Sequence, residues 1–408
     1  MTDADTLVRN CTVIDCVTDR PTESAGIWIR GGRVQDCGTE EAVRRGAPPD
    51  IEEIDLAGAY VMPGLVNMHT HFSLSLPGNA GDRVKALGPH ALALHMAAGA
   101  RETLRSGVTA VRCVAERDHA DFALRDAISA GQVPGPRIFT AGQALACTGG
   151  HGHESSDTLE CDGVDGFRRG VRTQVKAGAD LIKVMISGGI AGQHEAIGRR
   201  QLAYDEIAAV IETAHHWGLK VTAHGGAAAA IDEAVRLGLD CIEHGYELTE
   251  PVAQLMAERG THYVPTLVVT RCGEFFDELG VPRWMQQRSL AAGPRHEQSY
   301  QLALAAGVQV MLGSDMPPFW PFEGTTATVR ELEHMAGSGL PPMRALRAAT
   351  VVPARWLGAA DDFGTVAAGR FADLIAMDAD PSRDISALRS LRWVMKGGQV
   401  VRDDRRAL

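Results

Sequence analysis

From Thr6 to Met62 short runs of apolar and β-branched residues are cut by Gly and Asp turns, as in TLVRNCTVID, GIWIRGGRVQDCG and AYVM. This texture predicts strands and turns and no long helix. After Pro63 the rhythm changes to an apolar strand followed by an Ala-rich helical stretch, repeated, with candidate strands at 64–69, 108–114, 137–141, 181–186, 220–223, 241–243, 263–268 and 308–313. Eight strands alternating with helices imply parallel pairing through right-handed crossovers. Over roughly 250–300 residues that fits a closed (β/α)8 TIM barrel better than an open doubly wound sheet. The lack of a dinucleotide fingerprint points the same way. A helical stretch at 341–357 is followed by a return of the strand-and-turn style in GTVAAGRFADLIAMD and LRWVMKGGQVV. The two chain ends are therefore expected to build one small composite β-sandwich, from 1–62 and 363–408, beside an α/β barrel at 63–362.

A length of 408 residues suits one large barrel with a smaller partner domain. The hydrophobic share of 45% and charged share of 22% are those of an ordinary folded chain, so disorder is not expected. A net charge of −11 argues against nucleic acid or an anionic membrane as the main partner, since both call for a basic face. The eight cysteines are scattered without a C-x-x-C pair and read as reduced thiols. MTDADTLVRN carries no charged-then-apolar leader, and no run approaches the roughly 18 apolar residues of a membrane span, so a cytoplasmic location is expected.

The chemistry-bearing residues sit at predicted strand ends. His69 and His71 close the first barrel strand in PGLVNMHTHF, and side chains two apart on a strand share a face, so the two imidazoles can grip one ion. Placement at the carboxyl end of strand one, where barrel active sites form, strengthens that reading over a chance pair. Lys183 lies inside the apolar run LIKVMI, where an unpaired ammonium is costly to bury. It either pairs with a carboxylate, snorkels out of the strand end, or is carboxylated by CO2 to a carbamate that can bridge two metals. His224 ends strand five and His244 ends strand six, each followed by Gly. Asp315, in VMLGSDMP, ends strand eight, where a carboxylate can cap a turn or bind metal and accept a proton from water. The ordered set of His, His, Lys, His, His and Asp across five strand ends is hard to obtain by accident.

With these residues in place, the sequence resembles the amidohydrolase superfamily, in the subtype whose binuclear centre is bridged by a carboxylated lysine. The resemblance runs over nearly the whole chain and is carried by PGLVNMHTH, TGGHGH, GADLIKVMISGG, VTAHG, IEHG, LGSD and GTVAAGRFADLIAMD. It implies two divalent ions, usually zinc, the first held by His69, His71 and Asp315 and the second by His224 and His244, with carboxylated Lys183 between them. TGGHGH and IKVMISGG look like the branch of Xaa-Pro and related dipeptidases, which includes enzymes that cleave aryl amides such as ochratoxin. By that resemblance His151 faces the substrate's carbonyl or carboxylate, and His153 is either a second substrate contact or structural. Homo-oligomers are common among such relatives, and one is expected here.

One departure bears on substrate. Some dipeptidase relatives carry a tyrosine shortly after the strand-five histidine, where this chain reads HGGAAAA. Tyr263 is too generic to stand in for it. Of the remaining features, Ser187–Gly192 is read as a mobile loop over the site rather than a phosphate cradle, because no P-loop lysine and serine follow. His215 and His216 are expected on a solvated helix face, Arg199 and Arg200 flanking that helix, and VRDDRRAL in a solvated tail. The expected reaction is hydrolysis of an amide or peptide bond of a small substrate, an Xaa-Pro or other dipeptide or an N-acyl or aryl amino acid, by hydroxide generated at the metals, with Asp315 passing protons. The alternatives are a deaminase or a cyclic amide or lactone hydrolase on the same barrel, and a non-catalytic scaffold.

Overall fold

The computed structural model describes residues 5–405; the first four residues and the last three of the expected solvated tail lie outside the described residues. The barrel staves follow one another as parallel neighbours. Leu65–Thr70, Val108–Cys113 and Arg137–Thr140 form one ladder, and Ala144–Ala146, Ile182–Met185, Val221–Gly225, Cys241–His244 and His262–Val264 form the next. The third stave is split. At Gly142 the backbone turns to a φ of 67°, which glycine adopts freely. The half before it pairs back to stave two, and the half after it pairs forward to stave four. The Asp180 amide donating to the Thr140 carbonyl at 2.8 Å stitches the two ladders together.

Two expected strands differ. The run at 263–268 is a strand only over His262–Val264; Thr266 sits at a φ of 53°, and Leu267–Thr270 is a 3-10 turn. The apolar, β-branched TLVV reads as a buried strand, but Pro265 has no N–H for a ladder and the buried Glu331 carboxylate accepts the Leu267 and Val268 amides at 2.8 and 2.7 Å. The segment 308–313 is not a regular strand either. It fills the eighth stave through a single bridge, Val310 with Tyr263, and through Met68 N–H to Leu312 O at 2.8 Å, which closes the ring onto stave one. Its Leu312 amide donates outward to Ala348 O instead of to a neighbouring stave. The result is a TIM-barrel-like α/β fold.

Strands from both chain ends share one continuous seven-stranded sheet, in which Glu52–Pro63 pairs with Thr6–Val13 on one side and Leu374–Met377 on the other. Alternation explains why these strands read as unbroken apolar runs. Leu374, Ala376, Trp393 and Met395 join a core of the sheet's own, while their neighbours Ile375, Met377 and Val394 join the core that runs into the barrel. Both faces are thus buried. His215 and His216 are exposed at the end of the helix Tyr204–His216, as expected. Among the described residues no helix is long and apolar enough to cross a membrane.

Candidate metal centre

Stave register and period-two alternation bring the expected residues to one end of the barrel. His69 and His71 share a face, and both Nε2 atoms lie 3.0 Å from Asp315 Oδ1. Lys183 on Ile182–Met185 and His224 on Val221–Gly225 sit on adjacent staves, Met185 pairing with His224. His244 needs a special device, because its neighbour Glu243 already points into the barrel interior and a regular strand would send the next side chain outward. A φ of 66° at His244 turns it back inward. Asp315, at a φ of 57°, is held by its amide donating to His69 O at 2.8 Å. Left-handed backbone at two non-glycine residues stores strain where the chemistry lies.

The six residues line one cavity of about 270 Å³, with ring centroids of His69 and His244 4.9 Å apart and those of His224 and His244 4.6 Å apart. Ligand atoms of His69, His244 and Asp315 fall within 4.8 Å of one another, close enough for one ion. The tightest trio thus pairs His244, and not His71, with His69 and Asp315, although His71 touches the same Asp315 oxygen.

The donor set fits metal. Ligating imidazoles tie one ring nitrogen to a protein partner and offer the other to the ion. His69 Nδ1 meets Glu243 Oε2 at 2.7 Å, His71 Nδ1 donates to Ala115 O at 2.8 Å, and His244 Nδ1 meets Thr266 Oγ1 at 2.7 Å, which turns three Nε2 atoms toward the cavity, those of His69 and His71 onto Asp315. His224 is the reverse, with Nε2 on Gly188 O at 3.1 Å and Nδ1 left over. Electrostatics agree. Burial lowers the His71 pKa, but Asp315 more than offsets it and raises it to about 9, so a proton stands where a cation could. Burial, reinforced by neighbouring His151 and His224 respectively, pushes His224 and His244 well down toward the neutral form that binds metal. Asp315 ionises well below the usual carboxylate range: burial opposes this, and the His69 and His71 contacts overcome it.

Lys183 is 1% exposed, and among the described residues no carboxylate lies within ion-pairing distance of its Nζ. Neither pairing nor snorkelling accounts for it. Burial lowers its amine to about 8, against the raising influence of Glu243 and Asp315.

His151 and His153 both line the cavity. His151 stacks on His224 at 4.1 Å and its Nδ1 meets Glu195 Oε1 at 2.7 Å. His153 stands nearer the mouth, its Nδ1 donating to Gly150 O at 2.9 Å. Tyr263 is structural, its hydroxyl donating to His244 O at 2.6 Å. The residues that sequence reasoning missed are Glu243 and Arg112, both fully buried and paired with each other, and Glu195. A charge inside VTAVRC and another in CIEHG carried the same signal that flagged Lys183. The cavity's other wall is apolar, built by Leu74, Leu76, Ile190, Val269, Phe276 and Met285.

Comparison with known proteins agrees with this geometry. The model of the Amidohydrolase family matches residues 60–401. Ochratoxinase of Aspergillus niger is 30% identical over 372 residues, which cover 83% of this chain and 75% of that protein. An uncharacterised protein of Mycobacterium tuberculosis is 29% identical over 395 residues, 93% of each chain. Among solved structures, a Xaa-Pro dipeptidase with bound methionine in its active site superposes with a TM-score of 0.87 at 30% identity, covering 97% of this chain and 99% of that one. The ochratoxinase crystal structure gives 0.85 at 26% identity over 98% and 96%. Four imidazoles, a lysine and an aspartate at the ends of parallel staves, in a sequence matched from strand one to the closing hairpin, place this chain in the amidohydrolase family.

Proposed function

We propose that this amidohydrolase cleaves the amide bond between an acyl or aminoacyl group and a small C-terminal amino acid, proline or a hydrophobic residue, with two divalent ions, zinc by preference, held by His69, His71, Lys183, His224, His244 and Asp315. The observation that carries the reading is the set of four imidazoles, each with one ring nitrogen engaged by the protein, around Asp315 and a buried lysine without a counter-ion. The names of the similar proteins, an ochratoxinase and a Xaa-Pro dipeptidase, support amide cleavage, and the apolar wall supports an apolar substrate group.

When bound, divalent ions would supply Lewis acidity and make hydroxide available near neutral pH. Lys183 prepares the site: its ammonium gives up one proton, and the neutral amine then forms an N–C bond to CO2 and releases a second, leaving a carbamate anion with two oxygens. An amine at about 8 has a usable neutral fraction near physiological pH. Asp315 accepts the proton of the attacking water and delivers it to the departing amine. With its Nδ1–H given to the Glu195 carboxylate, a doubly protonated His151 ring donates from Nε2 to the carbonyl oxygen as charge builds there. His153, at the mouth, contacts the far end of the substrate. The apolar wall excludes water from the bond that breaks.

Purified protein loaded with Zn2+ is to be assayed against Xaa-Pro, Xaa-Leu, Xaa-Arg and N-acyl amino acids. Release of free amino acid is the expected result. No cleavage across that panel, with turnover of a lactone or cyclic amide instead, overturns the substrate assignment.

A further inference from the structure

The segment Ser187–Gly192 and the residues after it do more than cover the site. Glu195 Oε1 lies 2.7 Å from His151 Nδ1 and accepts the Gly192 amide at 2.7 Å. Its other oxygen accepts Gln201 Nε2 at 3.2 Å, and Gln201 Oε1 accepts the His151 amide at 3.0 Å. The result is a closed ring of hydrogen bonds: backbone of His151 to Gln201, Gln201 to Glu195, Glu195 back to the imidazole of His151. One flat face of that imidazole is stacked on His224, with 25° between the planes. Its Cε1 edge is covered by Gly189, where an added Cβ would fall 2.3 Å from Cε1.

The cradle is itself tied down. Arg288, on the helix Arg283–Ala306, donates to the carbonyls of Gly189, Ile190, Gly192 and Gln193, so one guanidinium gathers four carbonyls of the loop. Four carbonyls on one arginine tie the loop to that helix. The Nδ1 contact leaves Nε2 as the ring nitrogen available to the cavity.

We infer that Glu195 is a positioning residue: it aims His151 at the substrate carbonyl, from a glycine cradle fastened by Arg288. The inference rests on the carbonyl-polarising role of His151 proposed above. A side chain fixed on three sides before substrate arrives loses little freedom in the transition state, which is the advantage of preorganisation.

The test compares Zn2+-loaded wild type with Glu195→Ala, Glu195→Gln, His151→Ala and the double variant His151→Ala/Glu195→Ala, measuring kcat and KM separately on whichever substrate of the panel is cleaved. His151→Ala is expected to lower kcat by about 100-fold, as loss of one transition-state donor does. Glu195→Ala is expected to lower kcat by about 10- to 100-fold with KM and zinc content nearly unchanged. Glu195→Gln, which keeps an acceptor for Nδ1 but not the charge that supports a doubly protonated ring, should recover only part of that loss. The double variant should be no slower than His151→Ala, because Glu195 acts only through His151. Wild-type kcat in Glu195→Ala, or losses that multiply in the double variant, overturns the positioning role and leaves the role of His151 standing. Wild-type kcat in His151→Ala overturns both. Gly189→Ala, which drives a methyl group into the ring without touching Glu195, gives an independent check: it too should lose kcat, and full turnover in it contradicts the cradle.

Discussion

Glu243→Gln removes one charge from the most deeply buried ion pair of the barrel. Arg112 and Glu243 are both 0% exposed and directly paired, and Glu243 also accepts from Thr222 and holds His69 Nδ1. The guanidinium keeps its Nε bond to Met68 O at 2.6 Å but loses its counter-ion. An uncompensated buried charge costs about 3–5 kcal/mol. With an unfolding entropy of about 2.1 cal/mol/K per residue over the 408 residues, that corresponds to a melting temperature lower by about 4–6 °C. The amide's one oxygen cannot serve both Arg112 and His69 Nδ1, so His69 is held less well and zinc affinity should drop by about 10- to 100-fold. Calorimetry of metal-free protein isolates the first effect, and competition with a chromogenic chelator reads the second. Adding Arg112→Met removes the stranded charge and should restore part of the melting temperature. An unchanged melting temperature together with unchanged affinity in Glu243→Gln would refute the argument.

Asp315→Asn keeps a ligand oxygen but cannot take a proton; it should retain bound metal and lose most turnover, and full activity with normal metal content removes Asp315 from the proton-transfer role. Lys396, whose Nζ donates to Gly135 O at 2.6 Å, has its pKa lowered to about 8 by burial and then by Arg137. Between about pH 8 and the unfolded value of 10.5 the unfolded chain holds the extra proton, so this group's contribution to stability increases as pH rises through that window. Urea unfolding across pH 7.5–10.5 should show that slope reduced in Lys396→Met; parallel curves for the two proteins contradict it. All eight cysteines are free, but burial pushes the thiols of Cys11, Cys16 and Cys241 up to about 12, and only Cys37 and Cys147 are part-exposed. Titration with a disulfide reagent should therefore label at most those two in the native protein and all eight in denaturant; rapid labelling of more than two in native protein contradicts the packing.

What the sequence made legible is what strand periodicity and isolated polarity can encode. His69 and His71 two apart, a lysine inside LIKVMI, and histidines and an aspartate at the ends of apolar runs all announce themselves locally, and all six arrive at one cavity. Residues whose meaning depends on a distant partner did not. Arg112 and Glu243 lie 131 positions apart, and each makes sense only against the other. The end of strand seven was unreadable because Glu331, 64 positions on, takes the amides that a ladder would use. The left-handed turn at His244, which lets neighbours Glu243 and His244 both face inward, breaks the alternation on which reading a strand relies. Likewise nothing local in the loop at 187–192 announces that its carbonyls meet an arginine about a hundred positions away.

Anomalous diffraction at the zinc edge, from crystals of the protein loaded with Zn2+ in the presence of bicarbonate, addresses the metal centre most directly. Two peaks are expected, one within coordination distance of His69, His71 and Asp315 and the other of His224 and His244, with density for a carboxylate extending from Lys183 Nζ between them. A single peak beside a bare Lys183 amine, or no peak in the cavity, would contradict the account.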